Sequence, residues 1–196
     1  MTDATRIRGR STEVVDAAAK LFHENGYEAT TVQDVADALG ILKGSVYHYI
    51  KTKEDLLFAV VEQAHEASIG SLQQVHDLDG DVPAKLRAFV RAHMELLFRE
   101  RIKIGVYLHD FRSLNDDHRR VVAERRRDYA DHLTALIEQG QREGTISADR
   151  DPHLSTLALL GMLNWAYEWY REDGREDPHR IMDEFAEIAL RGLTGP

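Results

Sequence analysis

Apolar side chains recur along this chain at intervals of three and four residues almost from end to end. Nowhere do apolar and polar positions alternate long enough to suggest a sheet. Ser11 starts a first helix with Val14, Val15, Ala18, Leu21 and Phe22 on one side, and Gly26 stops it. Thr30-Thr31 offers a cap for a short second helix carrying Val32, Val35, Ala36 and Leu39, ended by Gly40; a third short helix follows through Tyr49. Thr52 with Asp55 three residues on forms a capping box that opens a long fourth helix, with Leu56, Leu57, Val60, Val61, Ala64, Leu72 and Val75 inside. The clearest break is Gly80-Asp81-Val82-Pro83, where Asp81 can cap and Pro83 suits the first turn of a fifth helix through Leu86, Phe89, Val90, Met94 and Leu97. A shorter apolar segment covers 102–111. Asn115 or Asp116 then opens a long amphipathic helix (Val122, Tyr129, Leu133, Leu136, Ile137) that Gly144 ends. Asp151-Pro152 and Asp177-Pro178 repeat one start signal and open two last helices, roughly 152–172 and 178–192. The pattern predicts an all-α fold of about nine helices, without solenoid repeats or low-complexity tracts.

Composition narrows what such a fold does. Apolar residues make up 43% of the 196, enough for a packed core, and the 30% charged content argues against disorder. No window approaches the ~18 consecutive apolar residues of a membrane span. The N-terminus lacks the apolar core of a secretory signal. Cysteine is absent, which excludes disulfides and thiolate metal sites and fits a cytoplasmic location. The formal charge of -9 argues against wholesale wrapping by nucleic acid, but a local basic footprint remains compatible with it.

Such a footprint lies between Leu39 and Lys53, which hold three lysines, two tyrosines, a histidine and two glycines and no acid. Two short helices joined by a glycine turn, the second displaying polar and basic groups, make a helix-turn-helix layout. Val35, Ala36, Leu39, Ile41 and Val46 would hold the helices together, with Lys43, Gly44, Ser45, Tyr47 and His48 facing outward. Gly44 lets a backbone approach a phosphate, and Tyr47 and His48 can bond phosphate oxygens or touch a thymine methyl. Lys51 and Lys53 add phosphate neutralisation, and Arg6, Arg8 and Arg10 form a loose basic arm ahead of the first helix. An ordinary capped surface loop accounts for the same residues. Tyr47/Lys51 and Tyr49/Lys53 match a Tyr-x-x-x-Lys spacing, but no G-x-G-x-x-G fingerprint accompanies it, and the phosphate-loop pattern fails at Gly40–Ser45.

From Ser11 to Leu57 the chain resembles the DNA-binding domain of the TetR family of one-component regulators. Thr30 to Ala36, Gly40-Ile41, Lys43 to Tyr49 and Lys53 to Leu57 follow its pattern nearly position by position. The resemblance implies that Thr31 contacts phosphate and that Gln33 reads a base beside it. It implies base or phosphate contacts for Lys43, Gly44 and Tyr47, backbone contacts for His48 and Tyr49, and a phosphate anchor at Lys53, beside a helix N-terminus. Two positions depart from the pattern. Leu42 stands where a capping Ser or Thr is usual, a loss of ~1 kcal/mol, and Ile50 replaces the usual Phe. The implied domains are 1–52, a helix-turn-helix domain with a basic arm, and 53–196, a ligand-binding and dimerisation domain.

The eighth helix is apolar nearly all round, so it must be buried on more than one side. The small residues Ala158, Gly161, Ala189 and Gly192 allow close helix approach, and Ile181, Phe185 and Ile188 form a stripe on the ninth. The resemblance implies a two-fold homodimer built from these two helices, with Ala158, Gly161, Phe185, Ile188 and Gly192 at its interface, on a palindromic double-stranded operator. Met94, Phe98, Tyr107, Phe111, Trp165 and Trp169 would line an elongated apolar pocket, with Arg112, Asn164 and Glu168 as its polar groups. Each of these alone also reads as an ordinary core or surface residue; so does His93, on the fifth helix.

Phe111-Arg112-Ser113-Leu114, Asn164-Trp165 and Trp169 to Gly174 resemble the TetR-family repressors of fatty-acid, aromatic-acid and steroid catabolism, several of which respond to acyl-CoA thioesters. The arginines at 112, 119, 120, 125–127 and 171 suit CoA phosphates, or equally a solvated helix face. His65-Glu66 lacks the second histidine of a zincin, and Gly-x-Ser-x-Gly is absent. The expectation is a DNA-binding repressor that is not an enzyme, carries no cofactor or metal, does not enter a membrane, and is released by a small hydrophobic or acyl-CoA-type effector. The competing class is a helical small-molecule-binding or enzymatic protein with no DNA role.

Overall fold

The computed structural model describes residues 3–195, and among them every regular element is helical. They are α1 (Asp3–Asn25), α2 (Val32–Ala38), α3 (Lys43–Val46), α4 (Lys53–His76), α5 (Val82–Arg99), α6 (Arg101–Asp110), a 3-10 turn (Phe111–Ser113), α7 (Asp116–Arg142), α8 (Pro152–Trp169) and α9 (Pro178–Thr194). The start signals act as their chemistry requires. Asp81, Asp151 and Asp177 each accept backbone N–H bonds from the first turn that follows, and Asn115 accepts one from His118. Thr52 and Asp55 close their capping box, with Asp55 also accepting the Lys51 N–H.

Three bounds differ from the expected ones. α1 runs back through residues 6–10, which the sequence pattern assigned to a loose arm. α3 is a single turn with no side chain capping it at Leu42, and the chain continues to Tyr49 through turn bonds. α8 stops at Trp169 because Tyr170 turns extended; the Arg171 guanidinium then donates to the Glu168 and Tyr170 carbonyls that another helical turn would have satisfied.

The described chain forms two compact units that are discontinuous in sequence. One holds the residues up to His65 together with Ile102–Ala123, and the other holds Glu66–Arg101 with the residues from Glu124 onward. The first has its own core: Val14, Ala18 and Phe22 of α1, Val35 and Ala36 of α2, Val46, Leu56, Leu57 and Val60, joined by Val106, Leu114 and Val122. Full burial of residues such as Leu56 and Leu57 contributes about 1.5–3 kcal/mol each. In the second unit α5 packs on α8 and α9, burying Leu86, Phe89, Val90, Met94 and Leu97 together with Leu163, Ala166, Ala186 and Leu190. Arg87–Glu187 and Arg91–Asp183 pairs flank the α5–α9 seam.

Candidate nucleic-acid interface and effector region

The α2–α3 pair is built from a buried hinge and an exposed edge. Gly40, at φ 64°, makes the turn in the left-handed region that favours glycine. Val35, Ala36 and Val46 lie fully inside, and Ile50 plugs the core behind α3 at 8% exposure. Lys43, Gly44, Tyr47 and His48 are all exposed, on one short turn and its continuation. A Cβ added at Gly44 meets nothing within 4 Å, so its surroundings are open to an approaching backbone. Ser45 is half-buried, as is Tyr49, which packs against the core.

Thr31 and Gln33 sit exposed at the start of α2, but both are engaged. The Thr31 hydroxyl accepts the Asp34 N–H at 3.2 Å and donates to the Asp34 carboxylate at 2.9 Å, and Gln33 donates to Asp37 at 2.7 Å. The Thr31 N–H and hydroxyl hold the Asp34 carboxyl below the usual range. Thr30, which the sequence offered as an equal cap, is buried, its hydroxyl donating to the Gly26 carbonyl at 2.9 Å. Lys53 is also engaged: its ammonium donates to the Tyr27 carbonyl at 2.9 Å and lies 4.1 Å from the Tyr27 ring centroid. It ties the loop after α1 to the start of α4.

Behind the first turn of α4 lies a cluster that no local pattern predicts. Glu54 accepts from the Asn115 backbone and side chain, and His118 Nδ1 lies 2.9 Å from its carboxylate. The His118 ring stacks on Phe58 at 3.9 Å. Burial pushes the Asp55 carboxyl up, but bonds from Thr52 and Lys51 and the nearby His118 more than offset that and hold it below the usual range. Glu54, Asp55 and His118 thus bring three metal-type donor atoms within 4.8 Å, although each is already satisfied by protein groups.

The nine expected ligand residues fall in both units, Tyr107, Phe111 and Arg112 in the first and the other six in the second. Tyr107 and Phe111 pack against the core of the first unit, and Arg112, exposed, gives its carbonyl to Arg119 at 3.2 Å. In the second unit Met94 is fully buried and Phe98 stacks on Tyr170 at 3.7 Å. Asn164 faces His93. Its Oδ1 lies 3.1 Å from His93 Nε2, while Tyr129 Oη lies 2.8 Å from Nδ1. An amide oxygen only accepts, so Nε2 carries the proton and Nδ1 accepts from the tyrosine. Enclosure of this ring pushes the His93 pKa down to about 4, against a smaller upward pull from Asn164.

Glu168 is exposed, and so are Trp165 (65%) and Trp169 (41%). They continue a stripe with Leu154, Leu157, Ala158 and Gly161 along α8, at helical spacing. Phe185 lies 6.0 Å from the Trp169 ring, with Ile188 and Gly192 exposed further along α9. Arg119 and Arg120 pair with Asp116 and Asp117 one turn away, as on a solvated helix face. Arg101 carries no local signal in the sequence, yet its Nε is buried without a hydrogen-bond partner and its guanidinium lies 5.6 Å from the Tyr167 ring centroid. No described helix is long and apolar enough to cross a membrane.

Comparison with known proteins agrees with this geometry. Residues 14–60 match the profile described as bacterial regulatory proteins of the tetR family, and residues 79–193 match that of the tetracyclin repressor-like C-terminal domain. The transcriptional repressor KstR2 of Rhodococcus jostii (strain RHA1) is 29% identical over 195 residues, covering 99% of this chain and 96% of that protein. The crystal structure of the TetR-family regulator PfmR from Thermus thermophilus is similar at a TM-score of 0.85 and 31% identity, over 92% of this chain and 98% of that one. The crystal structure of AibR in complex with isovaleryl coenzyme A and operator DNA is similar at 0.83 and 28%, over 95% and 99%. With a helix-turn-helix edge at one end and a family profile over more than half its length, the chain belongs to the TetR family of DNA-binding transcriptional regulators.

Proposed function

We propose that this regulator is a cytoplasmic homodimeric repressor that catalyses no reaction, holds a palindromic operator, and is released by a small hydrophobic or acyl-CoA-type effector. The observation that carries the DNA reading is the exposed Lys43, Gly44, Tyr47 and His48 edge, anchored from behind by Val46 and Ile50. Thr31, Gln33 and Lys53 flank it; the third N–H of Lys53 remains for a phosphate once two acceptors have been counted. The exposed α8–α9 stripe supports the dimer: a Cβ at Gly161 or Gly192 would meet nothing within 4 Å, the open space that a partner helix needs. The AibR likeness supports the effector class.

Effector binding shifts the population toward the form unable to span both half-sites, by as much as its affinities for the two forms differ. α4 is the element suited to couple them, since its first turn carries Lys53 and the Glu54 cluster and it continues into the second unit.

The test is operator binding at stated salt by Lys43→Ala and Tyr47→Ala. Each is expected to lose about 1–3 kcal/mol of binding, some ten- to hundredfold, with effector binding intact. Unchanged DNA affinity in both would instead favour a helical small-molecule-binding protein with no DNA role.

A further inference from the structure

On the second unit, the last turns of α4, the start of α5 and the C-terminal half of α7 line a half-open cavity of about 520 Å³. That lies within the ~300–1,000 Å³ of small-molecule sites. None of the ligand residues expected from the sequence lines it. Its apolar wall is Leu72, Val75, Phe89, Ala135 and Leu136. Its polar groups are His76, Lys85, Asp131, His132, Gln139 and Arg142, two permanent cations against one carboxylate on a chain of formal charge -9.

The two cations are only weakly engaged. Lys85 reaches the His76 carbonyl at 3.5 Å, the outer limit of a hydrogen bond. Arg142 pairs with Glu138 at 4.0 Å, across a contact more than half exposed on both sides and therefore worth little. His132 Nδ1 lies 2.7 Å from the Asp128 carbonyl, so it donates there and leaves Nε2 for a ligand. The cavity also has an inward connection: the Phe89 ring lies 6.0 Å from His93 and 5.8 Å from Tyr129, members of the enclosed polar chain that ends at Asn164.

We infer that this cavity binds an amphiphilic anion. An acyl body lies against Leu72, Val75, Phe89 and Leu136, and its anionic head, a free carboxylate or the phosphates of a CoA thioester, sits on Lys85 and Arg142. The site rests on the chemistry of its own lining; that its occupant acts as the effector rests on the regulatory reading above.

Calorimetric titration of the full chain with octanoate and, separately, octanoyl-CoA tests it. One probe or both bind, and binding weakens at least tenfold in Ala135→Trp, which fills the cavity from an exposed position, and in the Lys85→Glu/Arg142→Glu pair. Octanoate binding alone assigns a free acid, and octanoyl-CoA binding alone assigns the thioester. No binding of either at millimolar concentration, or unchanged affinity in either folded variant, overturns the site. Each variant's melting temperature serves as its folding control, and the charge pair, at the rim, keeps the test open if the tryptophan variant does not fold. Operator affinity is measured in parallel: binding here that leaves it unchanged upholds the site and defeats its role as the effector site.

Discussion

His93 shows how much one side chain's surroundings decide. Its Nε2 proton goes to Asn164 and its Nδ1 accepts from Tyr129, so the folded protein holds the neutral ring, with a pKa pushed to about 4. In the unfolded chain the same ring titrates near 6.5. Below that value the unfolded state binds the proton first. The stability that His93 contributes is therefore complete above pH 6.5 and is lost as the pH falls toward 4, at about 1.4 kcal/mol per unit. His93→Gln keeps a donor and an acceptor but does not titrate, so its denaturation midpoint is expected to fall less steeply between pH 6.5 and 4 than that of the parent. Parallel slopes from urea titrations would refute the assignment. The histidine's place on an apolar stripe was legible in the sequence; its partners, on α7 and α8, were not, because they lie 36 and 71 residues away.

At the scale of elements, helix starts were the most legible feature, because a cap and its first turn are local chemistry. Asp81, Asp151 and Asp177 all cap where Asp81-Val82-Pro83 and the two Asp-Pro pairs indicated. Helix ends and packing partners were less so. By helix propensity alone, alanine in place of Gly140 would gain about 1 kcal/mol. In the fold it is buried on α7, and a Cβ there would overlap the Ile146 side chain and come within 2.8 Å of Val82. Its carbonyl also accepts from Thr145 and Ile146 in the turn that ends the helix. Overpacking of this kind costs ~1–3 kcal/mol and outweighs the propensity gain. Gly140→Ala is therefore expected to lower the melting temperature by about 2–8 °C; a rise would show that the turn yields.

At the scale of the whole molecule, the exposed stripe on α8 and α9 is the feature the single chain leaves unexplained. Trp165, assigned from the sequence to a ligand pocket, is 65% exposed and continues the line of Ala158 and Gly161 that was assigned to the dimer. Large exposed apolar side chains gathered on one face mark an interface. Trp165→Glu together with Ile188→Asp is expected to give a monomer by light scattering and at least a hundredfold weaker binding to a two-half-site operator, with the helical content unchanged. A dimer that persists in this variant would place the interface elsewhere.

The sequence by itself determined the all-helical class, the capped starts and the helix-turn-helix edge, because periodicity, caps and a glycine turn act over a few residues. It also specified the chemistry displayed there, since Lys43, Tyr47 and His48 stand exposed on that edge. Tertiary structure decided the rest. It turned Lys53 partly inward onto Tyr27 and gathered Glu54, Asn115 and His118 into one cluster. It also opened a cavity among residues of α4, α5 and α7 that no local pattern groups together. Those outcomes depend on which helix faces meet across dozens of residues of intervening chain, and a helical period names a face without naming its partner.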